Sequence, residues 1–400
     1  MNIIFIASGA DWEKGKVGIS GGDRIFIELS KRLSQKNNVT IYGWEATRLM
    51  CADHDVLTLF KDIGNIGPLL YNNRILSYLT RTILSTMVIC KDIKNFERKQ
   101  TIIISASDFW PDTIPAYILN LFYKYKWASS LYLIAPNVFL SSGSHTGFKR
   151  IIALFYKLSQ SISIFLIRSK SSLLLTCSQD VINKIDNSRK LPMNRFFLYG
   201  GITIDDEVLR LRDLNVENPN YDVVYMARFH PQKGPIEMVK IWNEVIKIDP
   251  SLRLAMIGNG PLESDVRKLV KKLELEQSID LLGFIDGKEK NKIFIDSKIF
   301  AHPVIYDTGG MAAIEAMVFG IPAVSFDLSG LRDAYPKGMH KISCYDFEEF
   351  AKSIVQISND NEYYKKLRNE AIELSNEWNW DKHASNLNNE LSNVLKNIYQ

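Results

Sequence analysis

Short apolar runs alternate along the whole chain with longer stretches in which apolar positions return every three or four residues. Runs such as Ile3-Ile4-Phe5-Ile6 and Val223-Val224-Tyr225-Met226 read as buried strands, and the periodic stretches read as amphipathic helices. In the first half, strands are predicted near residues 2–7, 38–43, 101–105, 130–135 and 171–176, with helices near 21–36, 72–91, 112–126, 149–168 and 178–187. In the second half, strands are predicted near 222–226, 252–257, 278–282, 298–302 and 321–325. The helices there fall near 235–247, 262–275, 286–296, 309–319, 346–357 and 361–377. This alternation implies α/β structure, with parallel sheets covered by helices on both faces. A turn-rich, acidic stretch over residues 200–220 is the candidate linker, and the sequence shows no short repeat and no low-complexity segment.

Composition narrows the class. The 400 residues are 46% hydrophobic and 24% charged, a soluble globular balance with room for two domains. No uninterrupted apolar run approaches the ~18–20 residues of a membrane span. The charge-free stretch 127–148 contains Pro136, two glycines and several serines, and reads as strand plus loop. The N-terminal residues lack a basic leader and a cleavage site before Gly9, so they read as a first strand rather than a signal peptide. Cys51, Cys90, Cys177 and Cys344 form no Cys-x-x-Cys pair and no metal-ligand spacing. They are expected to be buried free thiols of a reducing compartment. The net charge of +4 conceals an asymmetry. Residues 1–200 hold 25 Lys and Arg against 14 Asp and Glu, and residues 201–400 hold 24 against 31. A basic first half points to an anionic partner.

Two clusters carry candidate chemistry. In Tyr306-Asp307-Thr308-Gly309-Gly310-Met311-Ala312-Ala313-Ile314-Glu315, two carboxylates stand eight positions apart around a Gly-Gly step. A helix starting near Gly309 would aim free backbone N–H groups at a ligand, and such a terminus favours phosphate. Asp307 would lie at the mouth of the site and Glu315 about two turns in, a layout that suits a diphosphate with a sugar at one end and a ribose at the other. The second cluster is Ala227-Arg228-Phe229-His230-Pro231-Gln232-Lys233-Gly234, between a strand and a helix. Ligands of open α/β sheets bind at that end of the strands. Arg228 as a fork and Lys233 as a point charge suit a diphosphate there. The plainer alternatives are solvated loop charges for Arg228 and Lys233, and a helix N-cap for Asp307.

At these residues the chain resembles a retaining GT-B glycosyltransferase of family 4, also called the group 1 glycosyltransferases. Ala227-Arg228-Phe229 through Lys233-Gly234 resembles the family's Gly-Arg-Phe-x-x-x-Lys-Gly step, and Asp307-x7-Glu315 its Glu-x7-Glu motif. Ile257-Gly258-Asn259-Gly260-Pro261, Leu282-Gly283-Phe284-Ile285 and Glu315-Ala316-Met317-Val318-Phe319-Gly320-Ile321-Pro322 match further family segments. Together they span roughly residues 222–335.

The resemblance implies a GT-B fold, two doubly wound Rossmann-like domains facing across a cleft. Residues 1–200 would form the acceptor-binding domain, joined by a C-terminal helix at about 381–400 that crosses back. Residues 201–380 would bind a UDP- or GDP-sugar. Arg228, Lys233 and Asp307 are implied as catalytic. Gly21, Gly22, Gly258, Phe284, Ile285, Thr308, Gly309, Gly310, Met311 and Glu315 are implied as donor-binding. The implied reaction is retaining hexosyl transfer to a glycan or lipid-linked acceptor in cell-surface polysaccharide or glycolipid assembly, with no tightly bound cofactor or metal. The family usually has Glu where Asp307 stands, and many relatives carry a histidine near Ala135-Pro136-Asn137, where this chain has none. His145 reads as a loop residue.

Asp108 and Asp112, after the strand at 101–105, are candidates to bind or deprotonate the acceptor hydroxyl, or else are turn and cap residues. Gly21-Gly22 is either a donor-contacting pair or an ordinary flexible loop, and it is no dinucleotide fingerprint. The apolar and basic segment 149–170, with Lys124 and Lys126, is a candidate for peripheral contact with an anionic membrane, or a core helix with solvated ends. The chain is expected in the cytoplasm, at the inner face of the cell membrane, with no nucleic-acid partner. A non-catalytic sugar-nucleotide-binding or scaffold protein is the rival class, and a sugar-nucleotide epimerase the third.

Overall fold

The computed structural model describes residues 1–9, 19–64, 73–135, 148–186, 193–213 and 219–396, with the backbone alone for 148–150. Pro136, Asn137 and His145 lie outside the described residues. Contacts divide the chain into two compact units, Met1–Gly200 with Trp380–Gln400, and Gly201–Asn379.

The first unit runs β1 (Asn2–Ile6), α1 (Gly21–Leu33), β2 (Asn38–Gly43), α2 (Glu45–Asp53), β3 (Leu59–Asp62), α3 (Arg74–Asp92), β4 (Thr101–Ser105), α4 (Trp110–Tyr123), β5 (Lys126–Ser130), α5 (Phe148–Lys170), β6 (Leu173–Thr176), α6 (Gln179–Asp186) and β7 (Asn194–Phe197). Its sheet is parallel in the order β3-β2-β1-β4-β5-β6-β7. Ile3, Ile4, Phe5 and Ile6 of β1 are buried on both faces, which suits its central place. The chain winds outward from β1 in one direction, returns, and winds outward from β4 in the other. The two directions part between β1 and β4, and such a reversal opens a crevice at the carboxyl ends of the strands.

The second unit runs α7 (Asp206–Asp213), β8 (Tyr221–Met226), α8 (Pro235–Ile248), β9 (Leu254–Ile257), α9 (Glu263–Lys272), β10 (Ile279–Gly283), α10 (Gly287–Ile295), β11 (Ser297–His302), α11 (Met311–Met317), β12 (Ala323–Phe326), α12 (Ser329–Ala334), β13 (Met339–Ile342), α13 (Phe347–Asn359) and α14 (Asn361–Glu377). Its parallel sheet has the order β10-β9-β8-β11-β12-β13, so the reversal lies between β8 and β11. Helices α8 and α13 pack together over one face, where Val223, Tyr225, Trp242, Ile299 and Phe350 join a single core. The last helix, α15 (Trp380–Lys396), belongs to the first unit. Its buried Leu387 and Leu391 cover that unit, Asp381 pairs with Arg32 at 2.7 Å, and Asn388 accepts from Asn37 at 2.8 Å.

Several expectations shift. The strand expected at 130–135 lies at Lys126–Ser130, and residues 131–135 have left the sheet. Two of its five residues are serines, and they are buried and bonded, Ser129 to Ser171 at 2.9 Å, while Trp127 donates to Ser105 at 3.1 Å. The short strands β3, β7 and β13, all at or beside a sheet edge, carry too few apolar positions to stand out. Helix α7 occupies part of the stretch read as linker. Cys51 and Cys177 are buried, but Cys344 is exposed, against the expectation for all four.

The loop after β8 approaches the loop after β11 so closely that only glycine fits at position 234. Its φ is 69°, and a Cβ there would lie 2.0 Å from the Pro303 carbonyl oxygen. Gly283 has a similar φ of 72° but faces open space. Gly234→Ala is therefore expected to destabilise the second unit by roughly 3 kcal/mol or more, and Gly283→Ala by only about 1 kcal/mol. Thermal melting of the two variants checks the order; equal losses would mean that backbone strain alone sets the cost.

Candidate active site

The carboxyl ends of β8 and β11 flank the reversal of the second sheet, and the loops leaving them are stitched together. Gln232 donates to the Tyr306 carbonyl at 2.9 Å, and Ile305 N–H donates to Gln232 O at 3.2 Å. Phe229 is buried against Tyr225 and anchors the first loop, its N–H donating to Asn259 O at 2.7 Å. These bonds bring Lys233 and Asp307 into contact, Nζ to Oδ2 at 2.5 Å. Arg228, on the same loop, is exposed and makes no ion pair among the described residues.

Asp307 does more than pair with Lys233. Its Oδ1 accepts from the N–H groups of Thr308 at 2.8 Å, Gly309 at 3.2 Å and Gly310 at 3.2 Å. The helix α11 consequently starts at Met311 rather than at 309, with Gly310 left-handed at its N-terminus. The Gly309 and Gly310 N–H groups expected to face a diphosphate thus hold a carboxylate, and Asp307 closes the turn before α11 rather than capping the helix, whose N-cap is Gly310. Burial works to raise the Asp307 carboxyl, but Lys233, His302 and the backbone N–H groups outweigh it and hold it below the usual carboxylate range. Tyr335 supports the turn from behind, donating to Gly310 O at 2.7 Å.

His302 and Lys290 stand out in the structure but not in the sequence. His302 ends β11 and is buried beneath the Gly-Gly turn. Burial pushes its imidazole down to about 4, with Asp307 opposing and Lys233 adding, so it is neutral there. Lys290, on α10, reaches Glu315 at 2.9 Å and Asp286 at 2.9 Å. Burial lowers its ammonium, but the two carboxylates together raise it above its ordinary value. Glu315 is therefore not a lone buried carboxylate awaiting ribose hydroxyls: its side chain remains 26% exposed and already has a cationic partner. The Asp286-x3-Lys290 spacing, one helical turn, was the available signal for that triad.

The other candidates distribute as follows. Gly258 sits in the turn after β9, donating to Gly283 O at 2.7 Å, and Phe284 and Ile285 follow β10 with Phe284 exposed. Thr308 is buried in the Asp307 turn, and Met311 opens α11. Gly21 and Gly22 open α1 in the first unit, behind the Ser20 cap.

Asp108 and Asp112 lie at the other reversal, beyond β4. Asp112 is buried, its Oδ1 accepting from Ser8 N–H at 2.6 Å and Gly9 N–H at 2.9 Å, and its Oδ2 from the Ser107 hydroxyl at 2.5 Å. Burial pushes it up to about 7 against those donors and Arg81. With both oxygens engaged it fastens the ends of β1 and β4 and does not face an acceptor. Asp108 is more accessible, burial pushing it up to about 6 while Gln160 opposes with a 2.9 Å hydrogen bond. Among the described residues no cluster of His, Cys, Asp and Glu could hold a metal ion.

Residues 210–374 match the family described as glycosyl transferases group 1. An uncharacterized glycosyltransferase of Methanocaldococcus jannaschii is 23% identical over 69% of this chain and 65% of its own length. The poly(glycerol-phosphate) alpha-glucosyltransferase of Bacillus subtilis is 23% identical over 43% of this chain and 26% of its own. The matched region thus spans less than two thirds of either relative. Among solved structures, Anabaena HepE in complex with UDP-glucose superposes with a TM-score of 0.71 at 15% identity, covering 98% of this chain and all of that one. Residues 210–374 are thus similar to the group 1 glycosyltransferases, and the fold is of the GT-B kind.

Proposed function

We propose that the protein transfers a hexosyl group from a UDP- or GDP-sugar to a hydroxyl of a glycan or lipid-linked acceptor, with retention, in cell-surface polysaccharide or glycolipid assembly. The observation that carries this reading is the turn at Thr308, Gly309 and Gly310, which holds an anion on three N–H groups beside Lys233. A turn that holds a carboxylate in this way suits a phosphate. Lys233 and the uncommitted Arg228 would take the diphosphate and stabilise charge developing on it as the sugar departs. Glu315, paired with Lys290, would accept the ribose hydroxyls, the backbone at Phe284 and Ile285 would meet the base, and Asp307 would turn to the sugar. Asp108, rather than Asp112, would meet the acceptor. The similarity to the B. subtilis alpha-glucosyltransferase and to HepE in complex with UDP-glucose supports the donor class. Four free cysteines suit the cytoplasm.

A second reading, a non-catalytic sugar-nucleotide-binding protein, draws on Asp307 having both oxygens engaged and Lys233 already paired. Turnover separates the two.

Calorimetric titration with UDP and GDP is expected to show binding of one of them. Arg228→Ala should weaken it about tenfold to a hundredfold, as a charge-assisted hydrogen bond of roughly 1.5–3 kcal/mol requires. Binding of neither nucleotide, or an unchanged Arg228→Ala, would remove the donor site from this loop. The preferred nucleotide should also bind more tightly than its 2′,3′-dideoxy form, and Glu315→Gln should narrow that gap; an equal gap in the variant would place the ribose elsewhere.

Asp307→Asn is expected to keep nucleotide affinity within about tenfold while kcat falls by at least that factor. Loss of nucleotide binding with kcat intact would contradict the role given to Asp307. The same variant reads the pH linkage. The Asp307 carboxyl is depressed in the folded state, so its stabilising contribution is full above the unfolded value near pH ~4 and is lost as pH falls through the folded value. The melting difference between wild type and variant should therefore shrink in acid.

A further inference from the structure

Helices α3, α4 and α5 lie side by side, α4 packing against both neighbours, and two of the three are turned inside out. A surface helix normally buries its apolar stripe and exposes its polar one. On α3 the buried positions include Ser77, Arg81, Thr82 and Ser85, while Ile83 and Met87 stand 59% and 64% exposed. On α5 Ser159 and Ser163 are buried, while Leu158, Ile162 and Phe165 face outward, Phe165 at 69%. Phe122 at the end of α4 is 71% exposed.

The inward polar groups are tied into the unit. Arg81 donates to Ser8 O at 2.9 Å, and the Trp110 indole donates to Ser159 O at 2.9 Å. Gln160 donates to Asp108 and to Leu133 O, at 2.9 and 2.8 Å. These bonds fix which face of each helix points out, so the exposed apolar stripes are set by the fold. An apolar field of this kind on a soluble unit marks a contact surface.

Charge selects the occupant. Each of these helices follows a strand of a parallel sheet, so all three end at the same edge. The exposed Lys91, Lys124 and Lys170 close the three helices at that edge. The only acids on the three helices are Asp92, paired with Lys61, and Asp112, buried. Helix α5 is long and apolar enough to cross a membrane by composition, but its inner face is anchored through Gln160, so it lies along a surface.

We infer that the outer face of α3, α4 and α5 docks on an anionic lipid bilayer, with Met87, Phe122, Ile162 and Phe165 entering the headgroup layer and the basic rim meeting lipid phosphates. The surface rests on exposure and charge alone and is independent of the transferase reading. The test is flotation of the full chain with vesicles of phosphatidylcholine alone and of phosphatidylcholine mixed with phosphatidylglycerol.

The wild type is expected to float with the mixed vesicles and to stay behind with the neutral ones. Ile162→Asp with Phe165→Asp, and separately Lys124→Glu with Lys170→Glu, should each weaken flotation by roughly tenfold or more. All four positions are exposed or at the rim, so unchanged circular dichroism and unchanged nucleotide binding show that the variants remain folded. No flotation at low salt, or flotation that both variants retain, would overturn the inference. So would a wild-type dimer in light scattering that Ile162→Asp with Phe165→Asp dissolves, since a second copy would then cover the face.

Discussion

One oxygen of Asp307 gathers three consecutive backbone N–H groups, and the other meets the Lys233 ammonium. The geometry of the whole cluster depends on this arrangement. It bends the chain after β11 into a turn tight enough to need Gly310, and it delays α11 until the turn is complete. It also pulls the loop after β8 against the loop after β11, where Gln232 and the glycine at 234 complete the seam. Desolvating a carboxylate and an ammonium together is unfavourable unless their remaining hydrogen-bonding capacity is met. Here the N–H groups meet it on the acid side, and Lys233 stays partly open to water on the other. An anion is thus required at this point of the fold, and the protein supplies its own.

The first unit handles the equivalent point differently. At its reversal the buried Asp112 likewise collects backbone N–H groups, but its counterpart cation, Arg81, is spent on the Ser8 carbonyl. The outcome is a closed fastening, with Asp108 the group left nearer to solvent. Two sheets of the same winding therefore differ at this point in where a basic side chain points, Lys233 to the carboxylate and Arg81 to a backbone carbonyl.

Much of this was legible in the chain. Apolar runs such as Ile3–Ile6 in β1, Ile102–Ile104 in β4, Leu173–Leu175 in β6 and Val223–Met226 in β8 announce themselves because both faces of these strands are covered. β5 was misplaced because its serines satisfy each other inside the sheet, a pairing that a linear pattern does not display. The Asp307-x7-Glu315 and Arg228-x4-Lys233 spacings fall on two loops that the fold brings into contact. They did not reveal that Asp307 would occupy the amides itself, since that depends on a three-residue turn closing on its own side chain. Lys290 and His302 were invisible for a similar reason: each matters only through a neighbour distant in sequence, Glu315 for one and the Gly-Gly turn for the other. The inverted helices α3 and α5 kept helical periodicity, so their existence was plain and their orientation was not.

The closing helix α15 imposes an order on biosynthesis. The first unit contains residues from both ends of the chain, whereas the second is a single continuous stretch. As the polypeptide leaves the ribosome, residues 1–200 emerge first but lack the helix whose Leu387 and Leu391 cover them. The second unit can complete its core while the first still waits for its final layer. The earlier half of the protein is thus the later to finish. In that interval apolar surface beside α1 stands open in addition to the outward stripes of α3 and α5, and a nascent chain in this state presents two separate sticky faces to chaperones.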